Sequence, residues 1–312
     1  MQSDTRALVQ PSALKPRNKA LMREHMLGYL LMLPLAIILT ILIFYPLVLV
    51  VRNSLLDKHF GSPAAPFIGF ANYSALLGSG RFWLVAGHSV IWTIVSVCFQ
   101  VIVGFSLALL LNQHLYGKAF FRGLFLLPWV IPGVVVALIW KWMLNDLYGI
   151  VNNYLGKVDS AWYGLAWFSD QKLAMPTVIG VNVWRGAPFV MVILLAGLQT
   201  VPRELKEAAS IDGANRVQQF WHVTIPHMQK ILAIVALVFM LFNFNNFDLI
   251  YLMTQGGPSD RTMTLPVFTY ELGFRGMDIG ASTAVAVIML VALAAVSLVY
   301  LRWFAAKYAT ER

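Results

Sequence analysis

The sequence is poor in charged residues and nearly free of cysteine. Only 12% of its 312 residues are charged and 59% are hydrophobic, whereas soluble domains carry roughly 25% charged residues. A soluble core could not bury this much apolar surface, so most of the chain is expected to lie in lipid. The one cysteine, Cys98, lies in an apolar run, which excludes an internal disulfide and a cysteine-based metal cluster.

Motifs of catalysis and of nucleic-acid binding are also missing. The sequence has no phosphate-binding P-loop, no catalytic triad and no paired-carboxylate site, so it is expected neither to be an enzyme nor to need a cofactor. His222 and His227 lie five residues apart without a third ligand and predict no metal site. The net charge of +9 comes from basic residues beside apolar runs, which orient membrane proteins, and no nucleic-acid partner is expected.

What the sequence does contain is six long apolar runs. Each can cross a hydrocarbon core of about 30 Å as a helix, because lipid offers backbone groups no other partner. The runs cover residues 27–51, 82–111, 123–140, 173–201, 231–254 and 279–301. The sequence therefore predicts an all-α polytopic membrane protein whose six transmembrane helices form one domain, residues 27–304. A segment of residues 1–26 precedes this domain, and a tail of residues 305–312 follows it.

Basic residues are distributed unevenly between the two sides that six spans would define. The side holding both termini and the second and fourth loops carries 14 Lys and Arg residues, the other side carries 8, and Arg185 lies within a span. Since cytoplasmic loops of membrane proteins are enriched in Lys and Arg, both termini are predicted to be cytoplasmic.

The fourth loop, residues 200–229, is too apolar and too helix-prone for a plain connector. Apolar residues recur at helical spacing on both sides of a glycine, namely Leu205, Ala208 and Ala209 before Gly213 and Val217, Phe220 and Trp221 after it. Glycine permits a sharp change of chain direction. The pattern predicts two short helices meeting at Gly213, a compact shape suited to a groove in a cytoplasmic partner.

This loop resembles the EAA loop of permease subunits of ATP-driven (ABC-type) importers. The matching positions, at the spacings of that pattern, are Glu207, Ala208, Ala209, Gly213, Val223, Ile225 and Pro226. Two of them depart conservatively, since Val223 replaces isoleucine and Ile225 replaces leucine. The resemblance implies the type I importer permease fold, with Glu207, Ala208, Ala209 and Gly213 at the contact with an ATP-binding subunit.

Further stretches, residues 67–73, 117–123 and 247–258, resemble the carbohydrate importers of the maltose and glycerol-phosphate type. The resemblance implies a prokaryotic inner-membrane permease that carries a sugar by alternating access. It also implies three kinds of partner: a second, different permease chain, two copies of an ATP-binding subunit and an external solute-binding protein. Two alternatives are an ion-coupled secondary transporter and a non-transporting membrane scaffold for an ATPase.

The fifth apolar run contains a polar cluster that suits a sugar. Asn243 and Asn246 share a helical face beside Phe242, so amides and an aromatic ring would meet a polyhydroxylated ring. Hydrogen bonding between helices is the alternative role for such amides. The resemblance to the maltose permease implies a sugar pocket containing Phe242, Asn243 and Asn246, joined by Gly186 and Phe189 of the fourth run.

Arg185 departs from the maltose permease, which has leucine at the matching position. An arginine in the middle of a span costs roughly 2.5–3.5 kcal/mol and needs water or a negative charge nearby. Three roles are open: an ion pair with Asp248, recognition of an anionic substrate, and lining of the cavity or contact with a partner chain. Arg185 is therefore included among the predicted substrate-binding residues.

Overall fold

The computed structural model describes residues 18–62, 65–114 and 116–308, and these residues form α-helices joined by short loops. The helices are α1 (Asn18–Leu39), α2 (Tyr45–Ser54), α3 (Ala71–Gly78), α4 (Gly80–Asn112), α5 (Lys118–Val130), α6 (Gly133–Met143), α7 (Ile150–Val158), α8 (Ala174–Leu198), α9 (Arg203–Ile211), α10 (Arg216–Gln219), α11 (Ile225–Phe244), α12 (Asp248–Thr254), α13 (Leu265–Tyr270) and α14 (Ile279–Tyr308). Shorter turns are π-helical at Thr40–Phe44, Phe220–Thr224 and Glu271–Arg275 and of the 3-10 type at Ser160–Trp162. The described ranges contain two isolated β-bridges and no strand, as an all-α fold requires.

Within the described residues, five continuous helical segments are long and apolar enough to cross a membrane, and a bent helix pair adds a sixth. The five segments are Gly28–Ser54, Gly80–Asn112, Ala174–Leu198, Arg216–Phe244 and Ile279–Lys307, and the pair is α5 with α6. Each corresponds to one of the six predicted runs. The prediction of an all-α polytopic membrane protein is therefore confirmed.

The third predicted span is not one straight helix. Helices α5 and α6 meet at 91°, and the break lies at Ile131 and Pro132 while Pro128 remains inside α5. Ile131 is extended, with ψ of 130°, because the ring of a following proline disfavours the helical region for the residue before it. One of the two prolines of this run therefore breaks the helix, and the third span, predicted over residues 123–140, is a bent pair of helices, Lys118–Val130 and Gly133–Met143.

The fifth predicted span, residues 231–254, was wrong in its bounds. The observed helix begins earlier, at Arg216, and ends at Phe244. Residues 245–247 are not helical, and α12 starts after them at Asp248. The side chain of Asn245 donates a hydrogen bond of 2.9 Å to the carbonyl of Leu241, and such local bonding by asparagine competes with continuation of a helix.

The chain divides into two compact units, residues 1–52 and residues 53–312. In the first unit, large apolar side chains are exposed along the described part of the helical segment, including Leu31 at 73% and Leu42 at 68%. The hydroxyl of Thr40 donates to the carbonyl of Ala36 at 2.8 Å, so this polar group is satisfied within the helix. An exposed apolar surface of this kind suits a helix surrounded by lipid.

In the second unit, α4 and α8 pack closely and organise two apolar clusters. A Cβ atom on Gly104 would lie 2.8 Å from the carbonyl oxygen of Ala187 and from the side chain of Val190, so glycine allows the helices to approach. One cluster contains Trp92, Val181, Leu249 and Val285, and the other contains Phe105, Leu194, Met228 and Val235. Along α4, α8 and α11 the polar residues Gln100, Asn182 and Asn243 lie between the two clusters.

A group of charged side chains ties the start of α4 to the residues on either side of α13. Arg81 Nε donates to Asp260 Oδ2 at 2.6 Å, and Arg81 Nη2 donates to Glu271 Oε1 at 2.9 Å. The hydrogen bond from Arg81 holds the pKa of the Asp260 carboxyl below its usual range, although burial acts in the opposite direction. These ion pairs fix the end of the molecule that α4 and the residues after α12 share.

Candidate functional site

The break between α11 and α12 opens a cavity of about 440 Å³. Irregular backbone at membrane depth is tolerated where it is buried in protein or lines a cavity. Amides, aromatic rings and two charged side chains form the walls: Gln100, Trp129, Asn182, Arg185, Gly186, Phe189, Phe239, Phe242, Asn243, Asn245, Asn246, Phe247 and Asp248. All six predicted substrate-binding residues therefore lie at one cavity, built from α4, α5, α8 and the α11–α12 break.

Aromatic rings form one wall of this cavity. Trp129 of α5 stacks on Phe189 of α8, with ring centroids 4.4 Å apart and an interplanar angle of 6°. Phe239 follows, 6.1 Å from Phe189, and Phe242 contacts Phe239 edge to face at 6.3 Å. The side chain of Phe242 is 65% exposed, so its ring is open to a ligand.

Asn243 forms the centre of a hydrogen-bonded amide network that joins three helices. Its Nδ2 donates to Gln100 Oε1 and to the carbonyl of Phe239, both at 2.8 Å, and its Oδ1 accepts from Asn182 Nδ2 at 2.6 Å. Trp92 Nε1 donates to the Asn243 carbonyl at 2.9 Å. The Asn243 amide is thus satisfied inside the protein, which favours the interhelical alternative for this residue.

Asn246 differs from Asn243 in its surroundings. Its side chain is half-buried at the cavity, and it has no hydrogen-bond partner among residues 18–62, 65–114 and 116–308. Asn246 lies beyond the end of α11, with its backbone N–H donating to the Asn243 carbonyl at 3.0 Å. The Asn246 amide therefore keeps its donors and acceptor available.

Gly186 makes room for the amide network. A Cβ atom at this position would collide with the side-chain amide of Gln100, so the glycine allows Gln100 to reach between α8 and α11. Gln100 and Asn182 were not among the predicted site residues, although each is an amide inside a long apolar run. A lone amide within an apolar run was the feature from which these two site residues could have been predicted.

Arg185 and Asp248 both line the cavity, but they form no ion pair. The described part of the chain offers the Arg185 Nε no hydrogen-bond acceptor, although this atom is buried, and Asp248 is exposed at the first residue of α12. The ion pair between them, one of the three roles considered for Arg185, is absent from the structure. Asp248 lies beyond the break at residues 245–247, on α12 and not on α11.

The predicted coupling residues lie in an exposed elbow at the other end of α11. Glu207, Ala208 and Ala209 belong to α9, and Gly213 turns the chain with φ of +82°. Asn215 then caps α10 in a reciprocal capping box with Gln218. The second helix of the predicted pair is not separate, because α10, the π-turn and α11 form one continuous segment, Arg216–Phe244.

Apolar side chains of the elbow point into solvent. Ile211 is 86% exposed, Val217 66% and Trp221 59%. His222 and His227 are exposed, and they form hydrogen bonds with the Gln218 carbonyl and the Thr200 hydroxyl respectively.

Residues 100–310 match the family described as binding-protein-dependent transport system inner membrane component. The chain belongs to this family. The matched region contains both the cavity and the elbow, and with them every residue of the coupling and substrate-binding predictions. The chain is therefore a multi-pass permease subunit of the inner membrane, which agrees with the expectation that it is a transport subunit and decides against the scaffold and ion-coupled alternatives.

Several relatives of this permease are named as permease proteins of sugar transport systems. The permease protein of the sulfoquinovosyl glycerol transport system of Agrobacterium fabrum is 34% identical over 282 residues, covering 89% of this chain and 90% of the relative. The permease protein of the trehalose/maltose transport system of Thermococcus litoralis is 32% identical over 285 residues, covering 91% and 96%. The resemblance to carbohydrate-import permeases is therefore confirmed.

A solved structure shares the permease fold. A chain of a bacterial ABC transporter involved in the import of the acidic polysaccharide alginate superposes with a TM-score of 0.80, over 92% of this chain and 98% of that chain. The two sequences are 22% identical. The predicted importer permease fold is confirmed by this likeness.

Proposed function

We propose that this permease forms the translocation pathway for a carbohydrate in an ATP-driven importer. The observation that carries the proposal is the single cavity at the α11–α12 break, which gathers all six residues selected from the sequence. Its walls combine amides with an exposed aromatic ring, and such sites bind polyhydroxylated rings through hydrogen bonds and stacking. The named sugar-transport relatives support the same substrate class.

The residues of the cavity would divide the work of binding. Phe242 offers its exposed ring for stacking, and Asn246 offers an unpaired amide to sugar hydroxyls. Asn243 and Gly186 act indirectly, because the first holds Gln100 and Asn182 in place and the second leaves space for Gln100. Phe189 supports the aromatic wall through its stack on Trp129.

The energy for transport would come from ATP bound by a partner subunit. We place Glu207, Ala208, Ala209 and Gly213 at the contact with an ATP-binding subunit, present in two copies, and a second, different permease chain would complete the pathway. The external binding protein would deliver the sugar. In this arrangement the six-span domain covers residues 27–304 with the coupling loop at residues 200–229, and the segments 1–26 and 305–312 are cytoplasmic. Residues 1–17 and 309–312 lie outside the described residues.

The experiment is transport by the complex purified with its partners and reconstituted into liposomes. With the binding protein outside and ATP inside, we expect uptake of an oligosaccharide that requires ATP and persists when an ionophore dissipates ion gradients. Uptake that stops with the ionophore, or that proceeds equally without ATP, would contradict the proposal. Loss of uptake on omission of the binding protein is the control for the delivery step.

A further inference from the structure

Arg185 is a charged side chain near the middle of α8, and it faces the cavity without a protein counter-charge. In the part of the chain that the structure describes, its Nε is buried and makes no hydrogen bond, and it takes part in no ion pair. An arginine within a span is tolerated where it meets a carboxylate, an anionic ligand or water. Because no described carboxylate pairs with Arg185, the compensating groups must enter the cavity from outside.

A glycine on the neighbouring helix leaves space for the guanidinium of Arg185. A Cβ atom on Gly133 would lie 3.1 Å from Nη1 and 3.2 Å from Nη2 of Arg185, closer than an ordinary contact. Gly133 is also the first residue of α6, and the start of a helix carries a partial positive charge. The guanidinium therefore lies against a second positive feature, which strengthens the local preference for an anion.

The rest of the cavity does not cancel this positive charge. Its amides and aromatic rings are neutral, and Asp248 is the one acidic group among the described lining residues. Asp248 is exposed on α12 and is not paired with Arg185. A carboxylate accepts hydrogen bonds from hydroxyls but repels a second acid group, so the two charges would orient a ligand that carries one acidic end.

We propose that the carbohydrate carried by this permease bears an oxyanion, such as a carboxylate or a sulfonate, and that Arg185 binds it. The inference rests on the proposed function, since it names the class of carbohydrate that the same cavity accepts. The planar guanidinium can donate two parallel hydrogen bonds to such a group. The acidic end lies at Arg185, the ring lies at Phe242, and the hydroxyls face Asn246 and Asp248.

The test compares acidic sugars with their neutral counterparts in the reconstituted complex. The panel contains uronate oligosaccharides and a sulfonated hexose glycoside, each beside its carboxyl-reduced or sulfonate-free form. We expect the wild-type complex to import an acidic member in preference to its neutral form. Arg185→Gln should lower uptake of that acidic member by at least about tenfold, since charge-assisted hydrogen bonds are lost, and Arg185→Lys should lose less.

Two further variants separate recognition from folding. Gly133→Ala keeps the charge of Arg185 but displaces the guanidinium, and it should weaken uptake of the acidic member while the complex melts at the wild-type temperature. Lys141→Gln is the matched control, because Lys141 belongs to the same helix α6 but does not line the cavity, and it should leave the preference for acidic members unchanged.

The outcomes are distinct. Import restricted to neutral members, or acidic import that Arg185→Gln leaves unchanged, would overturn this inference while the proposed function stands. If the complex imports no carbohydrate of either kind, the proposed function fails, and the inference fails with it.

Discussion

At the scale of single residues, the nearby amides of Asn243 and Asn246 have different roles. The Asn243 amide is 3% exposed and bonded to Gln100, Asn182 and the main chain of Phe239. The Asn246 amide is half-buried and has no partner within the described residues. Removal of the first would leave buried groups unpaired, whereas removal of the second would leave only a ligand unpaired.

The pair of substitutions Asn246→Ala and Asn243→Ala tests this division. Asn246→Ala should weaken uptake roughly 5- to 150-fold, the effect of about 1–3 kcal/mol, without a change in the melting temperature of the complex. Asn243→Ala should instead lower the melting temperature by roughly 2–10 °C. Uptake kinetics and melting would be measured side by side, and an Asn246→Ala complex with intact affinity and lowered melting would mean that Asn246 is structural.

At the scale of elements, the coupling elbow depends on the backbone of Gly213. No atom lies within 4 Å of a Cβ placed there, yet φ is +82°, so a side chain would strain the backbone without striking a neighbour. Gly213→Val should disfavour the native turn by about 1–2 kcal/mol, or roughly 5- to 30-fold in population. Substrate-stimulated ATP hydrolysis and uptake should therefore fall together.

Gly164→Val is the matched control for Gly213→Val. Gly164 also has a positive φ, +71°, and open space where a Cβ would lie, but it is located between α7 and α8, far along the chain from the elbow. The Gly164→Val variant should have the same backbone strain but normal substrate-stimulated ATP hydrolysis and uptake. Normal stimulated hydrolysis in Gly213→Val would refute the coupling role of the elbow.

The ion pair between Arg81 and Asp260 predicts a dependence of stability on pH. The pKa of Asp260 is lower in the folded protein than in the unfolded chain. The stability that the ionised Asp260 contributes is therefore complete above the ordinary aspartate pKa of about 3.9 and is lost as the pH falls through the lower folded value. Asp260→Asn keeps the shape and tolerates the local φ of +61°. It should destabilise the complex by at most about 1 kcal/mol at pH 6, and this difference should shrink below pH 4. A constant difference in melting temperature between pH 3 and pH 6 would contradict this.

The elements also show which features a sequence can reveal. Runs of apolar residues predict spans because transfer into lipid depends on each segment's own composition. The turn at Gly213 could be predicted for a similar reason, because it depends on the glycine itself. The break at residues 245–247 and the network of Gln100, Asn182 and Asn243 depend on three helices meeting. A single amide in an apolar run does not indicate which residue it will bond to. The fifth span was therefore predicted to continue past Phe244, and Gln100 was not predicted as a site residue.

At the scale of the whole molecule, orientation in the membrane remains a prediction from the basic residues. Val158 and Val217 are 88% and 66% exposed, and they lie in the third and fourth predicted loops. In a Cys98→Ala background, needed because Cys98 is exposed, Val158→Cys should react with an impermeant thiol reagent in intact cells. Val217→Cys should react only after permeabilisation, and the opposite pattern would reverse the predicted topology.

The continuous helix from Arg216 to Phe244 has a mechanical consequence. Its 29 residues make a rod on the order of 40 Å long, with the elbow at one end and Asn245 at the other. Near its middle, the hydroxyl of Tyr300 on α14 donates to the carbonyl of Ala233. Because one helix joins the two features, a displacement of the elbow along the helix axis would be passed on to Asn243 and Asn245 at its other end.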